Sequence, residues 1–219
     1  MPPRSDLKPI KLYGQLGPNP PKVAILLEEL NLPHEAEAIA FQDVKKPEFL
    51  AINPNGRVPA IYDPNTDLTL WESGAILEYL IERYDTDQKF SFAPGSNEAF
   101  LAKQWLFFQV SGQGPYYGQA VWFARHHPEK FQNKRVTDVL EGHLKKQREE
   151  YGGTEGFNGP WLVGNKLSYA DIAFVPWQWY AGKFFGEEPG QYDVDKFPVV
   201  KGWLEKLMAR ESLAKVMQK

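Results

Sequence analysis

The sequence predicts a small α/β domain followed by an all-helical domain. The first observation is that short runs of β-branched and aromatic residues, bounded by Gly, Pro, Asn or Asp, are confined to the first 85 residues. The second is that amphipathic helical patterns stand between and after those runs. The third is that beyond residue 97 the apolar residues recur at helical spacing only. A chain of 219 residues has room for two such cores.

The first domain is expected to run strand, helix, strand, helix, strand, strand, helix. Gly14 ends the first strand, and the Pro- and Gly-rich stretch at 17–21 breaks the chain before the first helix. Turn residues at 63–67 make the last two strands a hairpin. The predicted strands cover 10–13, 34–39, 58–62 and 68–71, and the predicted helices cover 22–30, 47–51 (or a turn) and 72–84.

The second domain is predicted from long helical patterns that follow a polar stretch containing Pro94 and Gly95. We place the first domain at 1–85, a linker at 86–97 and the helical domain at 98–219. The predicted helices cover 98–125, 128–151, 168–183 and 197–217. Ser168-x-x-Asp171 is a capping box, which we interpret as structural.

Composition argues against several classes of function. Lys and Arg number 25 against 28 Asp and Glu, and sequence-independent binding of nucleic acid needs a basic surface. The chain has no cysteine, so disulfides and thiolate metal sites are impossible and any reactive thiol must come from a ligand. No apolar run reaches the roughly 18 residues of a membrane span, and the first residues do not resemble a secretory signal. We expect a cytoplasmic protein with no metal, membrane or nucleic-acid partner.

Short motifs in a fixed order extend over nearly the whole chain. They are GPN at 17–19, KVAI at 22–25, NPNGRVPA at 53–60, WESGAI at 71–76, WLFFQ at 105–109, GQA at 118–120, WLVG at 161–164 and SYAD at 168–171. In this order and spacing the chain resembles the glutathione transferases, and among them the fungal nitrogen-regulator-like (Ure2p-like) group and its bacterial nu-class relatives. The resemblance implies a thioredoxin-like N-terminal domain that binds glutathione, followed by the all-helical domain of that fold.

Asn19 is the candidate for catalysis. An Asn before Pro20 is an ordinary helix N-cap, and its amide oxygen could cap while its NH2 donates elsewhere. In the resembled group this Asn lies beside the sulfur of glutathione, which implies that it holds the thiolate. Many other transferase classes have a catalytic Ser or Tyr hydroxyl at the position of Gly17. Relatives that lack the hydroxyl favour disulfide reduction and peroxide turnover over conjugation.

The glutathione-binding candidates also have ordinary structural interpretations. The Val58-Pro59 bond would usually be trans, but the resemblance implies a cis peptide whose Val58 backbone pairs with the cysteinyl part of glutathione. Glu72 and Ser73 suit a helix start, where a carboxylate binds free N–H groups and Glu72 can hold an ammonium, as in the γ-glutamyl end of glutathione. Lys45 stands where relatives place a basic residue near the glycyl carboxylate, although most lysines are simply solvated.

Aromatic residues after Gly112 are candidates for binding a second substrate. They are Tyr116, Tyr117 and Trp122. Aromatic residues at helical spacing are usually core, and we expect at least half of this neighbourhood to be so. The others would line an apolar pocket. His126 and His127 are adjacent and not four apart, which supports neither a zinc face nor a catalytic triad.

The function implied is that of a glutathione-dependent transferase or thiol–disulfide oxidoreductase, with peroxide turnover as a further reaction. Glutathione is expected as co-substrate, an apolar electrophile or disulfide as second substrate, and a homodimer as the assembly. The alternatives are a ligand carrier and a regulator that binds another protein. The regulator of the resembled group has a long Asn/Gln-rich segment before the fold, whereas nine residues precede the first predicted strand of this chain, so we do not expect regulation by that route.

Overall fold

The structure is a computed structural model, and it describes residues 6–126, 135–185 and 193–217. The chain divides into two compact units. One runs through Thr86 and takes in the chain from Ser212, and the other is Asp87–Glu211. The first holds a mixed four-stranded sheet and the second is built of helices, so the predicted fold class is confirmed.

The first unit is built on a sheet with the strand order β2-β1-β3-β4. β1 and β2 are parallel, whereas β3 is antiparallel to both β1 and β4. The strands are β1 (Ile10–Tyr13), β2 (His34–Glu37), β3 (Ala60–Asp63) and β4 (Leu68–Trp71), and the helices are α1 (Pro20–Glu29), α2 (Pro47–Leu50) and α3 (Ser73–Tyr84). This is the predicted order of elements.

The core of the first unit lies between the sheet and the pair α1 and α3. Alternation along β1 buries Ile10 and Leu12 and leaves Lys11 exposed, as expected of a strand with one covered face. The helices contribute apolar residues at helical spacing, Val23, Leu26, Leu27, Ile76, Leu77 and Leu80, each with 0% of its surface exposed. Full burial of one such side chain stabilises the fold by about 1.5–3 kcal/mol.

Two element boundaries differ from the prediction because of proline. β3 begins at Ala60 and not at Val58, since Pro59 has no N–H to donate to a strand partner. α1 begins two residues earlier than predicted, at Pro20, because the fixed φ of proline suits the first helical turn.

Asp63 anchors the end of β3 to α3, a contact that the sequence did not indicate. Its carboxylate is fully buried and accepts hydrogen bonds from the hydroxyls of Tyr79 and Tyr84. Asn65 also donates to it, through its backbone N–H at 2.8 Å and its side-chain amide at 2.9 Å. Burial and this carboxylate raise the pKa of the Tyr84 phenol, which therefore stays a donor. The buried carboxylate is thus fully engaged by donors from the hairpin turn and α3.

The described part of the second unit is built of helices. They are α4 (Asn97–Phe108), α5 (Gly114–His126), α6 (Arg135–Tyr151), α7 (Tyr169–Phe185) and α8 (Pro198–Met208), and α9 (Glu211–Met217) follows. The predicted helix at 98–125 is interrupted by a π-helical segment at Gln109–Gln113, and the predicted helix at 197–217 is two helices, α8 and α9. The predicted start of the 128–151 helix lies outside the described residues.

Asp171 organises the interior of the second unit. Its carboxylate accepts from the backbone N–H of Ser168 at 3.0 Å and of Leu162 at 2.9 Å, and from the Trp203 indole at 3.1 Å. The Ser168 hydroxyl donates to it as well, at 3.0 Å. The structural interpretation of the capping box is therefore confirmed.

Among the described residues, no helix combines the length and the apolar character that crossing a membrane requires.

Candidate functional site

The candidate site lies at one end of the sheet in the first unit. The pairing register sets Ala60 beside both Tyr13 and Trp71, so β1 and β4 end where β3 begins. α1 follows β1 along the chain and α3 follows β4, so both helices start near this end. Val58, Pro59, Glu72 and Ser73 stand next to these strand ends in the sequence, and Asn19 directly precedes α1.

Asn19 precedes α1 but does not cap it through its side chain. An N-cap side chain would accept from the second or third N–H of the helix. The second position is Pro21, which has none, and the N–H of Lys22 donates to the backbone oxygen of Asn19 at 3.2 Å. The side-chain cap considered as an alternative from the sequence is therefore wrong, because Pro21 lacks one of the two donors and the backbone oxygen of Asn19 takes the other.

Gly17 has a φ of +86°, in the region that favours glycine. A Cβ built at this position would meet no atom within 4 Å. A serine side chain would therefore have space, but its backbone would be strained. The local conformation itself disfavours the hydroxyl that other classes carry at this position.

Val58 lies very close to the backbone that follows β1. The Val58-Pro59 peptide is cis, as the resemblance implies. Gly14, at the end of β1, has a φ of +96°, and a Cβ on it would lie 2.5 Å from the Cβ of Val58. Only glycine therefore allows the end of β1 to come this close to Val58.

Lys45 lies against the loop that leads to Val58. Its Nζ donates to the backbone oxygen of Asn55 at 2.8 Å, and the side chain is exposed. Asn53 shapes the same loop from within, since its buried side chain donates to the oxygen of Arg57 at 2.6 Å and accepts from the N–H of Asn55 at 3.0 Å.

Glu72 and Ser73 start α3 in different ways. Glu72 is exposed and has a φ of +72° with a ψ of 115°, outside the regions that L-residues favour. Such a backbone costs on the order of 1–3 kcal/mol and is found most often at functional sites. Ser73 is the first residue of the helix and is 6% exposed. Glu72 does not cap α3 through its side chain.

Lys22 joins the two helix starts, and the sequence interpretation missed it as a site residue. The side chain is 1% exposed, and its Nζ donates to the hydroxyl oxygen of Ser73 at 3.3 Å. Burial lowers the pKa of the Lys22 ammonium to about 7, against a smaller opposing effect of the Glu72 carboxylate. Lysines are almost always solvated, so a buried one is not expected from its residue type.

The predicted aromatic residues lie in the second unit and differ in environment. Tyr117 is 2% exposed, and its hydroxyl contacts Thr137 at 2.7 Å and Gln178 at 3.1 Å, which is the core role that helical spacing usually indicates. Tyr116 is 37% exposed and Trp122 is 53% exposed, so these two offer apolar surface.

No cluster of three metal-ligating side chains is found within residues 6–126, 135–185 and 193–217. His127, one of the adjacent histidines, lies outside the described residues.

Comparison with known proteins identifies both parts of the chain. Residues 8–82 match the family model described as glutathione S-transferase, N-terminal domain, and residues 123–211 match the one described as glutathione S-transferase, C-terminal domain. The glutathione S-transferase-like protein gedE of Aspergillus terreus is 57% identical over 97% of this chain and 96% of its own.

Solved structures agree with these matches. The glutathione transferase URE2P6 of Phanerochaete chrysosporium, solved with oxidized glutathione, is 45% identical with a TM-score of 0.82 and covers 96% of both chains. Ure2p, solved with S-hexylglutathione, is 33% identical with a TM-score of 0.85, over 96% of this chain and 98% of its own. This chain belongs to the glutathione S-transferase family and is similar to its Ure2p-like members.

Proposed function

We propose that this protein is a glutathione-dependent transferase or thiol–disulfide oxidoreductase with glutathione as co-substrate. The observation that carries the proposal is the meeting of the first turns of α1 and α3, joined through Lys22 and Ser73 at the sheet end that carries Val58. Solved relatives of the same fold hold oxidized glutathione or S-hexylglutathione.

In the proposed binding mode the γ-glutamyl group lies at the start of α3. Its carboxylate accepts from the hydroxyl of Ser73 and from the first N–H groups of the helix, whose dipole favours an anion. Glu72 holds the adjacent ammonium group. The cysteinyl backbone pairs with the N–H and C=O of Val58 next to Pro59, and Lys45 attracts the glycyl carboxylate.

Asn19 and the start of α1 are proposed to hold the sulfur as a thiolate. A free thiol has a pKa of about 8.5, and lowering it to about 6.5 takes roughly 2.7 kcal/mol. One hydrogen bond to a charged group supplies about 1.5–3 kcal/mol, and a helix dipole about 0.3–1 kcal/mol more. Since the Asn19 side chain makes no cap bond with α1, capping does not fix the direction of its amide.

The thiolate is the nucleophile of the proposed reactions. On an electrophilic carbon, the sulfur forms a C–S bond as the leaving group departs with its electron pair. On a disulfide, it forms a mixed disulfide and releases the other sulfur as a thiolate. On a hydroperoxide, it takes the terminal oxygen and an alcohol leaves. An apolar second substrate suits the exposed faces of Tyr116 and Trp122. The conformation of Gly17 supports reduction over conjugation, because a class-typical hydroxyl would be strained there.

We propose a cytoplasmic homodimer that acts on small apolar molecules. Reduction of foreign disulfides and peroxides, or conjugation of electrophiles, would make its role one of detoxification.

The test combines binding with turnover in the wild-type protein. Calorimetry should show binding of glutathione, and assays with a model disulfide, a hydroperoxide and a chlorinated nitrobenzene should show turnover in at least one case, with the disulfide fastest. Binding without turnover in any of the three would overturn the enzymatic proposal in favour of a carrier or regulator. Absence of binding would overturn the proposed function altogether.

A further inference from the structure

Burial of the Lys22 ammonium lowers the stability of the folded protein. An ammonium group that is 1% exposed has lost its hydration, and an apolar side chain of similar length would avoid that loss. Its Nζ donates at 3.3 Å to Ser73, which is itself 6% exposed and belongs to the proposed site. The buried charge therefore acts directly on a hydroxyl that we assign to binding.

The chemistry of this contact fixes the direction of the serine proton. A lysine ammonium can only donate, whereas a serine hydroxyl has one proton and two acceptor lone pairs. When the oxygen of Ser73 accepts from Lys22, its own proton must point away from Nζ. Ser73 is the first residue of α3, and the first N–H groups of a helix have no partner within the helix. The Ser73 hydroxyl and these N–H groups can therefore donate to the same bound anion.

The charges around Ser73 also favour a bound anion at the start of α3. The ammonium of Lys22 and the dipole of α3 both attract an anion, and the carboxylate of Glu72 is the opposing charge that acts on Lys22. The pKa of Lys22 is lowered to about 7 by burial, so close to neutral pH a bound carboxylate would favour the protonated lysine.

We propose that Lys22 is a positioning residue of the γ-glutamyl subsite, donating to the Ser73 oxygen so that the Ser73 hydroxyl donates to the α-carboxylate of the ligand. This inference rests on the proposed function and adds to it a residue that does not touch the ligand. It requires that loss of Lys22 weakens recognition of that carboxylate specifically.

The experiment compares two ligands by calorimetry. S-methylglutathione cannot ionise at sulfur, and its analogue without the γ-glutamyl α-carboxylate lacks the group in question. Lys22→Met should bind S-methylglutathione roughly ten- to a hundredfold more weakly than wild type, the scale of a charged hydrogen bond. Both proteins should bind the decarboxylated analogue with similar affinity. Ser73→Ala should show the same selectivity, and the double variant should lose less than the product of the two single effects.

A matched lysine variant and proton counting complete the test. Lys11→Met, on the exposed face of β1, should bind both ligands as wild type does. Near neutral pH, wild type should take up a fraction of a proton on binding S-methylglutathione that Lys22→Met does not. Unaltered affinity in Lys22→Met, or equal losses for both ligands, would overturn the positioning role. If wild type itself bound neither ligand, the proposed function would fail first.

Discussion

The buried ammonium of Lys22 makes stability depend on pH in a definite direction. Burial lowers its pKa from 10.5 to about 7. Between these values the unfolded chain binds more protons than the folded protein, so the free energy of unfolding rises with pH in that window. Below pH 7 both states carry the charge, and the contribution is constant. Urea unfolding at pH 7 to 10 should therefore show wild type gaining up to a few kcal/mol relative to Lys22→Met. Parallel pH profiles would contradict the shifted pKa.

Asn19 should matter more for activity than for folding. We expect Asn19→Ala to lower kcat/KM for the best substrate roughly tenfold or more, the scale of one charged hydrogen bond. The free energy of unfolding should fall only modestly, by about 1 kcal/mol or less, because the substitution removes no side-chain cap from α1. Asn19→Asp should be worse for activity, since a carboxylate repels the thiolate. Gln104→Ala removes an exposed amide from α4 and serves as the control. Unchanged turnover in Asn19→Ala would assign the catalytic role elsewhere.

The backbone of Glu72 predicts a conflict between stability and binding. Glycine tolerates a positive φ, so Glu72→Gly should raise the free energy of unfolding by roughly 1 kcal/mol while weakening glutathione binding. Glu72→Gln keeps the strained backbone and removes the charge, so it should weaken binding without the gain in stability. Thermal unfolding and calorimetry on this pair separate the two effects. A Glu72→Gly variant less stable than wild type would argue against strain at this residue.

At the level of single residues, the sequence predicted features that depend on neighbouring residues, such as helix starts. It did not predict features that depend on contacts between residues far apart in the chain. Ser73 at a helix start was expected from local preferences. The sequence shows that Pro21 offers no N–H to a side-chain cap at Asn19, but not that the N–H of Lys22 donates to the backbone oxygen of Asn19. Lys22 could not be found this way, because its burial arises from a helix more than fifty residues further along the chain.

At the level of elements, the strongest patterns were predicted well and their boundaries less well. β1, β4 and α3 lie within a residue of their predicted limits. The break in the helix at 98–125 is a π-helical segment flanked by Gly114, and its glutamines face the interior. Gln113 there donates to the backbone oxygen of Phe174 at 3.2 Å and to Gln178 at 3.2 Å. Such contacts with a distant helix leave no local periodic signal.

The carboxylate of Asp171, near the start of α7, should contribute strongly to the stability of the protein. Asp171 is fully buried and accepts from Leu162, Ser168 and Trp203. Asp171→Ala leaves these buried donors without an acceptor, so the free energy of unfolding should fall by about 3 kcal/mol or more. Asp138→Ala, in the exposed first turn of α6, should cost no more than about 0.5 kcal/mol. Urea unfolding measures both, and equal effects would contradict the anchoring role of Asp171.

At the level of the whole molecule, the order of elements was enough to predict an α/β unit followed by helices. The return of the chain end to the first unit was not predictable. The Ser212 hydroxyl donates to Glu29 at 2.6 Å, and the Lys215 ammonium pairs with Glu28 at 2.6 Å. These contacts join α9 to α1, which lie almost at opposite ends of the sequence. Helical periodicity and capping patterns predict local structure and give no information about such distant contacts.

The proposed homodimer makes a prediction about the surface of α4. Phe100 and Phe107 are 65% and 66% exposed, and Leu101 beside them is 44% exposed. Seven residues span about two helical turns, so the two phenylalanines lie on one face. Apolar side chains grouped on an exposed helix face indicate a binding surface, and a second copy of this chain is the occupant that we propose. Light scattering should therefore give the mass of a dimer for wild type.

A charge placed in that face should separate the copies. Phe100→Glu and Phe107→Glu should shift the protein toward the mass of the 25.1 kDa monomer at low micromolar concentration, because an uncompensated carboxylate would be desolvated at the interface. Val139→Glu, which adds the same charge to an exposed apolar position of α6, should leave the mass unchanged. Glutathione binding should persist in all three, since the proposed site lies in the first unit. Dimers that survive both phenylalanine substitutions would place the interface on another surface, and a monomeric wild type would remove the dimer from the proposed function.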